Sequence, residues 1–291
     1  MTDRSAPSPE RLHDRREQRL VLVLLAPALA VVAVLMVLPL LWLARQSIRD
    51  DQGFTLAHYA RFLTDGIYLT AFVQTFRIAF IVTGAALLIG YPVAYVAAHA
   101  TRGWQMLILA CVLLPFWTSV LVRAYAWLIL LQRRGIVNSL LVKAGVIERP
   151  LALVNNEFGT VMATIHILLP FMVLPLFAAM QKIPPELKMA GASLGGRPGF
   201  VFRTVWLPLS VPGIVAGCVL VFVLTLGFYI TPELLGGGRA FMVSMLVARN
   251  IEIYHEWGAA SSISIVLLVC VFAIFKAASR LIPFDRIMGV R

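Results

Sequence analysis

Acidic side chains are scarce. The chain has 14 Asp and Glu among 291 residues, set against 25 Lys and Arg, and long stretches contain none at all. It also has no G-x-x-x-x-G-K-[ST] phosphate loop and no Gly-Lys pair, so it cannot cradle ATP in that way. The three cysteines, Cys111, Cys218 and Cys270, each sit inside an apolar run with no C-x-x-C spacing. The five histidines, His13, His58, His99, His166 and His255, are scattered. These patterns exclude a disulfide framework and a cysteine–histidine zinc site. No nucleophile, base and stabilising group converge in the sequence, so no catalytic residue, cofactor or metal is expected.

What the chain does have is apolar length. Residues A, V, I, L, M, F, W, Y and C make up 60% of it and charged residues only 13%, with a mean hydropathy of +0.88. That is too hydrophobic for a soluble globule. The net charge of +11 then marks loops beside anionic lipid and does not mark a nucleic-acid binder. Six stretches are long enough, or nearly so, to cross a bilayer as helices. They are 20–44, 78–98 (with a start near Leu69 that takes in Arg77), 103–122 (continuing past Arg123 to Leu131), 158–181, 204–232 and 258–275. Only helices and closed barrels satisfy every backbone group in lipid, and these runs are too long for barrel strands. The expected fold is an all-α integral membrane bundle of six helices.

Residues 1–19 mix arginines, acids and prolines without an apolar face and read as a disordered cytoplasmic tail. The apolar run that follows exceeds a signal-peptide core, so 20–48 reads as an uncleaved anchor. The positive charges favour the side holding the N-terminal tail, the 182–203 loop and the C-terminal tail at 284–291. Both termini are therefore expected in the cytoplasm, with the four positives between 132 and 157 opposing that bias. Within that stretch, 136–146 reads as a short helix on the outer surface. Pro115 and Pro170 fall inside the third and fourth runs, where each would kink a helix and free a carbonyl. In lipid such a group must face protein or a wet cavity, which makes these two spans the candidate pore-lining helices.

The polar stretch from Pro184 to Pro212 separates two spans. Pro184-Pro185 can begin a helix but cannot continue one, and Gly195-Gly196 followed by Pro198 stops it, which predicts a rod of about 15 Å over 185–194. Glu186 in its first turn suits the positive helix end. Ala190, Gly191 and Ala192 leave one side almost bare, open to close approach by another protein. After the break, Leu207-Pro208 begins the fifth span, so a push on the rod would be delivered to the membrane segment.

This loop resembles the cytoplasmic coupling loop of binding-protein-dependent ABC importer permeases, whose pattern reads E-A-A-x3-G-x9-I-x-L-P. Ala190 and Gly191 occupy the two alanine places. Gly195, nine residues, Val205, Trp206, Leu207 and Pro208 complete the spacing, and Met189 stands where the family has glutamate. Further strings resemble the spermidine/putrescine permease branch. They are Tyr91-Pro92-Val93-Ala94-Tyr95, Leu114 to Ser119, Arg123 to Trp127, Leu168 to Met172, and Thr231 to Gly237. The resemblance implies a type I (MetI-like) permease domain over 69–283 with its coupling loop at 182–208. It further implies an ABC ATPase dimer, a second permease subunit that is most simply a different chain, and a solute-binding protein outside a bacterial inner membrane. The solute it implies is polyamine-like or a related amine or amino-acid-like compound.

Candidate residues for a translocation path are Trp117, Arg123, Tyr125, Phe228, Tyr229 and Glu233. Arg123 is the charge deepest in an expected span, and buried charge must meet a carboxylate, a carbonyl or water. The alternative reading is structural: Arg123 snorkels outward and joins Tyr125 and Trp127 in an aromatic belt at the outer interface. Phe228 and Tyr229 suit packing or cation–π contact with an amine, and members of this branch often carry an acid where Phe228 stands. Glu233 followed by three glycines reads as a mobile outer turn. An ion-coupled secondary carrier is the rival reading; it would place paired charges near mid-membrane in repeat-related helices, and the runs hold almost no acids.

Overall fold

The computed structural model describes residues 9–50 and 53–281. Helix α1 (Pro9–Ser47) leads into a small antiparallel hairpin, β1 (Arg49–Asp50) and β2 (Gly53–Phe54), and then α2 (Ala57–Thr64). The start at Pro9 corrects the expectation of disorder through residue 19. Proline at the first helical position with Glu10 behind it makes a favourable helix start, and the chain continues into the apolar run without a break. Residues 1–8 of the expected tail, and the C-terminal tail at 284–291, lie outside the described residues.

Helix α3 (Gly66–His99) is followed by α4 (Arg102–Leu113), a 3₁₀ turn (Leu114–Trp117), α5 (Val120–Leu131) and the short α6 (Ile136–Lys143). The third span is therefore not one rod through Arg123: its two halves bend by 100° at Thr118-Ser119. Pro115 supplies no N–H to the helix, and the Thr118 backbone N–H and hydroxyl both donate to the Pro115 carbonyl, at 3.1 and 2.7 Å. That local turn competes with helix continuation, and Thr118 is extended. Pro170, expected to act similarly, lies inside the unbroken α7 (Glu157–Gln181).

The short α8 (Pro185–Ser193) and α9 (Pro198–Val201) come next. A π-helical turn (Phe202–Trp206) then runs directly into α10 (Leu207–Leu226), and α11 (Ile230–Leu235), α12 (Val243–Glu252) and α13 (Trp257–Leu281) complete the chain. Gly227 ends α10, so the fifth span stops before Phe228 instead of reaching Pro232. Among the described residues five helices are long and apolar enough to cross a membrane, or six with the bent pair counted as one span.

The core is the junction of α3, α7 and α10. Small residues let the backbones approach, as in membrane helix packing generally. A β-carbon on Gly90 would meet the Met172 side chain at 2.9 Å, and one on Gly217 would meet Met172 Sδ at 2.8 Å and its carbonyl at 3.2 Å. On Gly213 it would meet the Ala179 β-carbon at 2.6 Å. Helix α1 stands outside this junction, packs on α13, and exposes Leu and Val from Leu24 to Leu41, a lipid-facing surface.

Candidate functional site

Helix α8 ends as its glycines dictate. Gly195 adopts a left-handed φ of 78°, its N–H donates to Ala192 O at 2.9 Å, and the Gly196 N–H donates to Gly191 O at 3.1 Å. That pair of bonds is a Schellman motif, which satisfies the terminal carbonyls and turns the chain back. The bare side of Gly191 does not face outward, as expected from sequence, because the chain itself fills it. A β-carbon there would lie 3.0 and 3.1 Å from the two Val201 methyls, and one on Gly196 would touch the same valine. The exposed surface of the loop instead carries Glu186, Ala190, Leu187, Met189 (67% exposed), Leu194 (89% exposed) and Phe200.

From Val201 the chain passes into the π-helical turn, where Trp206 is buried among rings from the end of α3. Tyr95 lies 5.6 Å from Trp206 and 5.8 Å from Phe202, while His99 lies 4.4 Å from Trp206 and 4.3 Å from Tyr95. Tyr91 and Ser210 share a hydrogen bond of 3.1 Å just beyond. Leu207 and Pro208 open α10 without a break, Leu207 half-buried and Pro208 exposed. An aromatic-walled cavity of about 210 Å³ sits between Ala192, Gly196 and this turn. The short rod, its return segment and the fifth span thus form one mechanical unit clasped to α3.

The other candidate residues lie on the 3₁₀ turn, on α5, in the segment after α10 and on α11. Phe228 is half-buried against the core, and its carbonyl accepts from the Ser244 hydroxyl at 2.8 Å. Burial, then the Glu233 and Glu252 carboxylates, raise the Tyr229 hydroxyl above its ordinary value, while Arg249 offsets part of this. Glu233 is exposed on α11. The glycine turn after it is packed: Gly237 (φ 54°) presses on Asn155, whose α-carbon a β-carbon would approach to 2.7 Å, and the Asn156 N–H donates to Leu235 O at 3.2 Å. Trp117 (82% exposed) and Tyr125 face out of the subunit, whereas Arg123 is only 8% exposed.

No family model matches the chain. It is 32% identical over 242 residues to the spermidine/putrescine transport system permease protein PotB of Haemophilus influenzae, covering 80% of this chain and 84% of that protein. The chain belongs to the ABC importer permeases. Within that family it is also 34% identical to the inner membrane ABC transporter permease protein YdcU of Escherichia coli over 228 residues, 73% of this chain and 72% of the relative. A bacterial ABC transporter involved in alginate import shares the fold with a TM-score of 0.69 at 18% identity, over 94% of this permease and 98% of that chain. An amino acid ABC transporter does so at 0.54 and 16%, over 78% and 98%.

The permease carries features that its sequence did not signal. The π-helical turn leaves no compositional trace, since Phe202 to Trp206 reads as ordinary amphipathic chain. The clasp of Tyr95 and His99 on Trp206 needs α3 and α10 side by side; the spacing of Tyr91, Tyr95 and His99 on one helical face was the available hint. Asn138 was also missed. It is fully buried, donates to the carbonyls of Gln132 and Leu151 at 3.0 Å each, and accepts from the Leu151 N–H at 2.8 Å, pinning the segment between α6 and α7.

Proposed function

We propose that this permease forms one half of the membrane pathway of an importer for polyamines or related amine or amino-acid-like solutes. In that assembly a separate pair of ATPase subunits hydrolyses ATP, a second and different permease completes the path, and a solute-binding protein delivers from outside. The substrate class follows the names of the relatives that share about a third of its residues. The membrane is the bacterial inner membrane, with both termini and α8 in the cytoplasm. The observation that carries the mechanism is the packing of α8 through Gly191 and Gly196 on Val201, from which α9 and the π-helical turn run without a break into α10.

Closing of the ATPase pair on nucleotide draws the two α8 rods together, and each rod tilts its α10. The two states differ in contacts at the rods, as a two-state switch requires. The apolar side chains of Met189, Leu194 and Phe200 supply the rod's docking surface, with Glu186 beside them. Leu194→Asp tests this reading, because at 89% exposure the substitution leaves the fold alone. Loss of ATPase co-purification and of ATP-driven uptake, with normal membrane insertion, is the expected result. Full ATP-driven uptake in Leu194→Asp would refute the docking role, and uptake by the permease alone without any ATPase would favour an ion-coupled carrier.

A further inference from the structure

Arg123 presents an unanswered charge. It is 8% exposed, and its Nε and Nη1 are sealed from solvent without any hydrogen-bond partner among the described residues. One turn further along α5, the Trp127 indole N–H donates to His166 Nδ1 at 3.1 Å, and the Arg123 charge lies within electrostatic reach of that histidine. His166 is in the first half of α7, about 14 Å from the Glu157 end at 1.5 Å per residue, well inside a helix long enough to cross a bilayer. A guanidinium held there without an anion is strongly unfavourable.

None of the chain's own acids whose side chains are described meets Arg123. Glu157 pairs with Arg77 at 2.6 Å and Glu256 pairs with Arg61. Asp65 caps α3, Asp50 has an interaction of its own, and Glu233 and Glu252 lie nearer Tyr229, with no carboxylate close enough to act on Arg123. Glu148 and Glu186 are exposed outside the spans. We infer that Arg123 is the receptor for a carboxylate supplied from outside this chain. The guanidinium Nη2 is the atom not sealed inside the chain; a carboxylate meeting it makes a charge-assisted hydrogen bond and cancels the single charge, whereas a phosphate dianion would leave excess charge in the same dry place. Two sources carry that chemistry: the solute, which would then be an amino acid or amino-acid-like amine, or an acidic side chain of the second permease. This inference rests on the importer reading above.

Ornithine and putrescine differ by one carboxylate and are the probes. The permease pair in lipid nanodiscs, without binding protein, is titrated with each, following the part of the tryptophan emission that Trp127→Phe removes. If the solute supplies the anion, ornithine shifts this signal, and Arg123→Gln weakens its binding roughly 10- to 100-fold, as loss of a charge-assisted hydrogen bond does. Putrescine binding is then unchanged by the variant. If the second permease supplies it, Arg123→Gln loosens the pair on size-exclusion and lowers its melting temperature with no solute present. Arg123→Lys, which keeps the charge, holds the pair together and covers the case where the glutamine variant fails to fold. An Arg123→Gln pair with unchanged association, melting and ornithine response overturns the inference, as does equal damage by Gln and Lys. Capture of the ATPase by the unmodified pair is measured separately, so failure of the importer reading is distinguished from failure at Arg123.

Discussion

The contact between Gly191 and Val201 decides whether α8 acts as a lever fixed to α10 or as a loose tether. Gly191→Ala places a β-carbon 3.0–3.1 Å from the Val201 methyls. Those methyls must give by a few tenths of an ångström, which offsets the gain of about 1 kcal/mol from replacing glycine in a helix. Near-normal behaviour is expected. Gly191→Leu adds three further carbons where there is no room, an overpacking cost of about 1–3 kcal/mol, and levers α8 away from its return segment. ATP-driven uptake by the reconstituted importer should fall in proportion, roughly 5- to 150-fold, while membrane insertion survives. Val201→Ala, neutral or mildly harmful alone, should restore much of the loss in the Leu background, with a coupling of about 0.5–3 kcal/mol in the double-mutant cycle. If Val201→Ala gives no rescue and ATPase binding is what fails, Gly191 serves the partner surface and the lever argument is wrong. Unimpaired uptake in Gly191→Leu alone would refute it equally.

At the core, Gly217→Leu drives a side chain into Met172 and should lower the detergent melting temperature by an amount corresponding to about 1–3 kcal/mol, with Met172→Ala as partial rescue; additive losses would show that the two sites do not touch. Asn138→Ala removes three buried hydrogen bonds, at about 1 kcal/mol each, and should speed protease cleavage between 132 and 151; unchanged cleavage would dissociate Asn138 from that segment's order. Tyr229 should titrate late in ultraviolet absorbance. A raised hydroxyl means that the folded state holds its proton longer, so the contribution to stability is full below the ordinary tyrosine pKa and is lost as pH rises through the folded one. Glu252→Gln should bring the titration earlier, and no movement would place Glu252 out of reach. Arg61→Ala breaks a half-exposed pair with Glu256 and should cost under about 1 kcal/mol; a larger loss by thermal melting would mean that the pair does more than surface pairing.

The spans and the short rod α8 were legible because each rests on a one-dimensional rule: apolar length for the spans, proline at one end and glycine at the other for the rod. The rod's limits came out within a residue, since Gly195 must take a positive φ that leucine avoids. Three features escaped because they depend on what meets what. Thr118 turns the third span through a local hydrogen bond to Pro115, a competition that hydropathy does not register. Phe228 leaves the fifth span because Gly227 ends it. The bare face of Gly191, expected to admit another protein, is filled by Val201 of the same chain, which only the folded return of the loop reveals. The helix begins at Pro9 because the pair Pro9-Glu10 suits a first turn, a local signal that the charge-rich composition of residues 1–19 masks.

Motion imposed at α8 cannot stop at α10. Gly213 and Gly217 bring α10 into van der Waals contact with the α7 backbone at Leu176 and Met172, and Gly90 brings α3 against the same methionine. Interfaces packed this closely have no slack to absorb displacement, so they transmit it or switch as a whole. The α3–α7–α10 junction must therefore move as one body, with Tyr91–Ser210 and the Trp206 clasp holding its loop end together. The compliant points are the places where the helices stop: Gly227 after α10 and the 100° bend at Thr118-Ser119. Both lie next to the elements that carry Phe228, Tyr229 and Arg123. A rigid core flanked by breaks at the candidate path is the arrangement in which, on the coupling role proposed for α8, a tilt applied at its loop would change access at the far end without unpacking the middle.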